Sequence, residues 1–260
     1  MNVISFILCM ALNATSQSFA VTHLGAIGDE LDIKFQVKGW ALVIWAPIYA
    51  CVGTFTVYQA LPSSWVKTRN NDLIYQQIGW MFPVNMLCNG LWLITFGRNS
   101  KPTFILAFIE ISLMVATGVY MIWKSLRVSV NTIEFVAIRV GFSIYTAWVT
   151  AATIIGATIV CKTNGLDTNE QTWAIVMLWV ALIVYLFYSF MERNPVYGAV
   201  YIWVLFAIKA NAEDFGFTEV AEAVPAVLIS FVLLLVIVTI YCIYLKLKGK
   251  CERGLFYLPI

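Results

Sequence analysis

Apolar residues dominate eight stretches of the chain, at about 3–21, 39–61, 73–97, 102–123, 135–161, 172–191, 196–210 and 222–245. Short polar segments separate them. A helix needs roughly 20 residues to cross the hydrocarbon core of a bilayer. Most of these runs reach that length, and the seventh is the shortest. The pattern predicts an all-α, polytopic transmembrane helix bundle with eight crossings, or seven if the first run is cleaved. Ser18-Phe19-Ala20 would suit a signal-peptidase site, but no positive segment precedes the run. The expectation is therefore a retained first helix.

Polarity inside the runs carries more information. Around the fifth run, at helical spacing, Gly141, Tyr145, Trp148, Ala152 and Gly156 share one face, and Thr146, Thr150, Thr153 and Ala157 an adjacent one. A helix bathed only in lipid would be aliphatic all round. This one calls for close neighbours, or a ligand, on more than one side. In the second run Trp45 and Tyr49 share a face, while Trp40 sits at the entrance as an interfacial anchor. Pro47 frees the carbonyl of Val43, which needs another partner in lipid. In the third run Asn85, Asn89, Trp92 and Phe96 line one face, and Pro83 frees the carbonyl of Gly79. Two intramembrane asparagines are costly unless paired. Either they hydrogen-bond between helices, worth about 1 kcal/mol or less each, or they form a polar rail along an aromatic cavity. Glu110 lies inside the fourth run and Arg139 near the start of the fifth. Their depths differ by about a third of the hydrocarbon core, which favours a neutral Glu110 bonded to a neighbour over a direct pair. The last run is nearly featureless and is expected to face lipid. Val238, Tyr241 and Lys246 in it match a loose cholesterol-contact pattern that an interfacial tyrosine and a snorkelling lysine explain equally well.

Composition agrees with a membrane chain. Hydrophobic residues make up 61% and charged residues 12%, with a mean hydropathy of +0.84; a soluble domain carries about a quarter charged residues. A net charge of +2 argues against a nucleic-acid partner. The six cysteines contain no CxxC pair, and His23 is the one histidine, so neither a zinc site nor a histidine relay has material. With eight crossings, one side holds Lys67, Arg69, Lys124, Arg127, Arg193, Lys246, Lys248, Lys250 and Arg253. The other holds Lys34, Lys38, Arg98, Lys101, Lys162 and Lys209. This bias places both termini on the cytoplasmic or matrix-like side. No nucleotide-binding loop, HExxH, GxSxG or paired-carboxylate helix occurs. Hydrolase, metalloprotease and ATP-driven pump chemistry therefore lack residues, and no cofactor is implied. What remains is an aromatic-rich bundle, with 10 Trp, 12 Tyr and 17 Phe, suited to a flat or rigid apolar ligand.

Four stretches resemble the TspO/MBR family of tryptophan-rich sensory and translocator proteins. They are Gly39 to Tyr49 (GWALVIWAPIY), Asn89 to Trp92 (NGLW), Phe142 to Thr153 (FSIYTAWVTAAT) and Asn194 to Lys209 (NPVYGAVYIWVLFAIK). The whole chain is most similar to the longer members, which carry extra helices. The resemblance implies a five-helix core over 1–162 and a three-helix transmembrane extension over 163–260. It also implies a pocket for tetrapyrroles, sterols or drug-like ligands, with the loop between the first two helices as a lid. Carried across, the pocket residues are Trp45, Tyr49, Asn89, Trp92, Tyr145 and Trp148; Asn85 joins them from the helical-face argument. Some positions depart from the family. Val37 and Lys38 stand where it has prolines before the second helix, Gly141 replaces a proline and Gly156 an asparagine. Ala157 and Thr158 replace the tyrosines of its cholesterol motif, so that contact does not carry over.

The expectation is thus an integral membrane receptor or carrier, not an enzyme, for a small apolar ligand such as a porphyrin, sterol or other lipid-like molecule. Membrane lipids are its other partners, and a mitochondrial membrane would suit the family. The alternative is a structural accessory subunit bound to further subunits of a larger membrane complex. An enzyme acting on a bound tetrapyrrole is a third reading, with no identifiable catalytic pair.

Overall fold

The computed structural model describes residues 1–21, 27–166, 169–249 and 253–255; His23, Lys250 and Cys251 lie outside them. The described residues form helices and connecting turns without a strand. The long helices are α1 (Asn2–Phe19), α2 (Trp45–Ala60), α3 (Met81–Phe96), α4 (Lys101–Ser125), α5 (Gly141–Thr163), α6 (Glu170–Met191), α7 (Pro195–Asp214) and α8 (Thr218–Leu247). Among the described residues, six segments are long and apolar enough to cross a membrane: Gly39–Ala60, Lys101–Ser125, Thr132–Thr163, Glu170–Met191, Pro195–Asp214 and Thr218–Leu247. A seventh arises if Asp72–Ile78 and α3 count as one span bent by 62°, and Asn2–Ser16 is a shorter apolar helix. The chain is a multi-pass membrane protein.

Two prolines sit where the helix type changes. The third apolar run is not one straight helix. Asp72–Ile78 winds as a π-helix, Gly79 takes a φ of +37°, and α3 begins at Met81. Pro83 therefore falls in the first turn of α3, where a missing N–H costs little. Likewise Pro47 falls in the first turn of α2, behind the 3₁₀ segment Gly39–Ile44. The seventh run is longer than its apolar residues suggest. The Asn194 side chain accepts from the Tyr197 N–H at 3.4 Å, Pro195 occupies the first turn, and the helix continues to Asp214. Asn169 caps α6 in the same way, accepting from Gln171 and Thr172.

Helices α1 to α5 form a ring in which α1 packs on α3, α3 on α4, α4 on α5, α5 on α2 and α2 on α1. Small residues set the closest approaches. A Cβ on Gly90 would lie 2.7 Å from Leu12 of α1, and one on Gly118 2.4 Å from the Thr146 hydroxyl of α5. One on Gly141 would lie 2.4 Å from the Cys51 Cβ of α2. Without hydrophobic drive between helices in lipid, such approaches supply the packing. Helix α7 docks on α5, and α6 and α8 pack on α7. Buried tyrosines fill that junction. Tyr185 donates to the Ala147 carbonyl, the Tyr197 and Thr150 hydroxyls meet at 2.5 Å, and Tyr185 stacks on Tyr201 at 4.8 Å. Ile229, Leu233, Ile237 and Ile240 of α8 are exposed, as a lipid-facing helix would have them.

One end of the ring is closed. Phe55, Phe82 and Phe142 meet with centroids 5.0 to 6.1 Å apart. Arg139, fully buried, donates to the carbonyls of Ser125 at 3.0 Å, Leu255 at 3.2 Å and Val128. It fastens the α4–α5 turn to the C-terminal segment and lies apart from Glu110. Arg69 donates to the carbonyls of Tyr58, Gln59 and Leu61, and Arg127 forms a bidentate pair with Glu192 at 2.6 and 3.1 Å.

Candidate functional site

The other end of the ring stays open inside. Helices α2 to α5 enclose a cavity of about 530 Å³, within the range of small-molecule pockets. Trp45 of α2, Trp92 of α3 and Trp148 of α5 line it, with Phe108 and Met114 of α4 between them. Trp148 is 4% exposed, so its indole is held by packing. On the same face of α5, Ala152 and Gly156 also line the cavity. A Cβ on Gly156 would meet only Phe108, at 3.7 Å, so this glycine widens the chamber rather than admitting a helix.

The segment 27–38 lies across the mouth. Gly28, Asp29, Gln36, Val37 and Lys38 line the cavity. Gln36 donates to Asp29 at 2.9 Å, and a Cβ on Gly28 would overlap the Gln36 amide at 1.3 Å, so the loop closes on itself only with glycine there. Ile27 and Ile33 bury against Phe104 and Ile159. Several contacts tie the segment to helix ends. The Lys38 N–H donates to the Ala207 carbonyl at 3.0 Å, and its ammonium pairs with Asp214. Lys34 lies 3.8 Å from the Phe217 ring centre, Lys162 donates to the Asp32 carbonyl at 2.9 Å, and Asn99 donates to Glu30 at 2.9 Å. Trp40, 45% exposed, stands edge-on to Trp203 of α7 at 4.9 Å, and the Trp203 indole donates to the Ala41 carbonyl at 3.2 Å. Helix α7 also supplies cavity wall directly, through Asn211, and Phe215 just past its end lines the cavity too.

The seven residues singled out from sequence divide into two groups. Trp45, Trp92 and Trp148 line the cavity. Tyr49, Asn85, Asn89 and Tyr145 do not; they form a hydrogen-bonded layer beside it. Asn89 donates to Tyr145 at 3.2 Å, Tyr145 donates to Asn85 at 2.6 Å, and Asn85 donates to the Thr117 hydroxyl at 2.7 Å and the Met114 carbonyl at 2.9 Å. Asn13 of α1 donates to Tyr49 at 2.6 Å and to Asn89 at 3.0 Å, and the Cys9 thiol donates to Asn89 at 3.2 Å. The layer thus ties α1, α2, α3, α4 and α5 together at one level. Trp45 joins the groups, stacking on Tyr49 at 5.1 Å and tilting on Tyr145 at 6.2 Å. Glu110 accepts from the Thr95 hydroxyl at 3.2 Å, with its second oxygen buried and without a partner among the described residues.

Sequence reasoning missed Asn13, Asn211 and Phe215. A lone asparagine in the first apolar run was the one signal for Asn13. Asn211 falls just past the seventh apolar run, in one of the polar segments between runs. Among the described residues no three His, Cys, Asp or Glu side chains gather to hold a metal ion. The arrangement offers stacking surfaces, apolar walls and a few polar groups confined to the mouth.

A family model described as TSPO-like protein matches residues 1–244, and so runs through α7 and most of α8. No curated protein and no solved structure matches the chain. The chain belongs to the TSPO-like family.

Proposed function

We propose that this TSPO-like membrane protein is a receptor or carrier for a small apolar ligand, such as a tetrapyrrole, a sterol or a related lipid. The ligand would occupy the 530 Å³ cavity under the 27–38 segment. The observation that carries the proposal is the convergence of Trp45, Trp92 and Trp148, from three helices, on one chamber. Indoles give a rigid ligand a large stacking area at small entropic cost. Tyr49, Asn85, Asn89 and Tyr145 serve this site indirectly, by fixing the helices that present the tryptophans. The function is binding rather than catalysis, because the lining holds no nucleophile–base pair. An open, aromatic chamber supports this reading over a structural subunit with a degenerate pocket. By the loop charges, the mouth faces away from the cytoplasmic or matrix-like side that holds the C-terminus.

Purified full-length protein in detergent tests the proposal through tryptophan fluorescence, with protoporphyrin as a quencher and dehydroergosterol as an energy-transfer acceptor. At least one should respond saturably. Trp148→Ala and Trp92→Ala should each weaken that response by about tenfold. A response from neither probe beyond a protein-free detergent control removes the receptor reading.

A further inference from the structure

Asn211 of α7 is 3% exposed, lines the cavity, and makes no side-chain hydrogen bond to a described residue. An amide on a chamber wall without a protein partner is open to a hydrogen bond from a ligand. The other buried asparagines show how such groups are normally settled here: Asn85, Asn89 and Asn194 all have partners. Asn211 instead has no such partner among the described residues and lines the chamber. Its neighbours at that end are Gln36, Asp29 and Lys38. The Gln36 amide donates to Asp29, and the Lys38 ammonium is paired with Asp214. One ammonium thus stands against two carboxylates, Asp29 and Asp214. Among the residues that line the cavity, Lys38 is the one cation, so no unpaired positive charge in the lining offers itself to an anionic head. The walls beyond, Trp92, Trp148 and Phe108, are aromatic.

We propose that Asn211 is the hydrogen-bonding contact for the ligand's single polar group. The ligand is then a neutral, largely apolar molecule ending in a hydroxyl or carbonyl, not one bearing carboxylates. This rests on the chamber being a ligand site and narrows what it accepts. An amide both donates and accepts, which fits a hydroxyl or a carbonyl equally. In a dry chamber the bond is worth more than at a surface, and a ligand lacking the polar group leaves the amide unmet. Gly156 contributes no side chain to the opposite wall. Asn211 lies on α7, so this polar contact comes from the extension rather than from the five-helix ring.

The test is displacement of dehydroergosterol, followed by energy transfer from tryptophan, on the full-length protein. Cholesterol carries the hydroxyl, 5-cholestene is the same skeleton without it, and protoporphyrin carries two carboxylates. Cholesterol should displace the probe about tenfold better than 5-cholestene and better than protoporphyrin. Asn211→Leu should erase the difference between cholesterol and 5-cholestene by weakening cholesterol alone. Asn211→Thr, which keeps a hydrogen-bonding group, should retain part of it. Should the leucine variant fail to fold, the threonine variant and the wild-type comparison still decide. Equal displacement by cholesterol and 5-cholestene overturns the inference. So does equal weakening of both in Asn211→Leu, or a preference for protoporphyrin, while the chamber itself stands as a binding site. Absence of any saturable signal from dehydroergosterol or protoporphyrin removes the chamber as a site, and the inference with it.

Discussion

Gly141 and Gly156 lie on the same helix and the same helical face, yet they do opposite things. At Gly141 the neighbouring α2 is so close that a Cβ would lie 2.4 Å from Cys51. At Gly156 the nearest atom would be 3.7 Å away, and the space beyond is the chamber. The contrast extends to the two ends of the ring. Near Gly141, Phe55, Phe82 and Phe142 interlock with almost no exposure, and buried arginines bind turn carbonyls. Near Gly156, tryptophans stand around a volume that no side chain fills. The Asn13–Asn85–Asn89–Tyr145 layer lies beside the chamber and holds the helices at fixed spacing. One end stores stability and the other forgoes packing to keep a chamber.

This contrast can be broken from either end. The largest expected effect is at the closed end. Arg139→Met strands the carbonyls of Ser125, Val128 and Leu255, and should lower stability by about 3 kcal/mol in denaturant-induced unfolding. Dehydroergosterol affinity measured under folding conditions should stay the same. Gly141→Val forces α5 from α2 and should cost about 2 kcal/mol in the same assay; a neutral outcome would mean the helices can separate freely there. Asn89→Leu removes bonds to Tyr145 and Asn13 and should cost about 1 kcal/mol, the modest figure typical of intramembrane hydrogen bonds. Gly156→Leu should change stability least, within about 0.5 kcal/mol, because its side chain enters space rather than a neighbour. Its binding signal should nevertheless fall more than about tenfold. If Gly156→Leu destabilised as strongly as Gly141→Val, the two ends would not differ as described.

Much of the fold was legible in the apolar runs, because a bilayer imposes a minimum length that the runs either meet or miss. The bend in the third span was not. The bend falls at a π-turn and a positive φ at Gly79, and Pro83, expected to free the Gly79 carbonyl, sits in the first turn of the next helix. The end of α7 was misjudged because Asn211, Glu213 and Asp214 are polar, and polarity read as loop. Of the site, the three tryptophans were visible as aromatic positions on helical faces. Their separation from Tyr49, Asn85, Asn89 and Tyr145 was not, because periodicity assigns a face but not what stands opposite it at a given depth. Asn211 and Phe215 were beyond reach for a further reason. They are far along the chain from the other lining residues, and only the docking of α7 on α5 brings them to the chamber.

That docking has a consequence for the order in which the protein comes into being. Synthesis delivers the helices in sequence, and the first five arrive with all three chamber tryptophans. The wall they share with α7 is still missing at that moment, as are the Lys38–Asp214 pair and the Trp40–Trp203 contact that hold the 27–38 segment and the start of the second span. A nascent chain paused after α5 would hold an open trough. Only when α7 has been released into the bilayer does the trough become a chamber, so lipid from the surrounding membrane has access to it until then and must be expelled or enclosed as it closes.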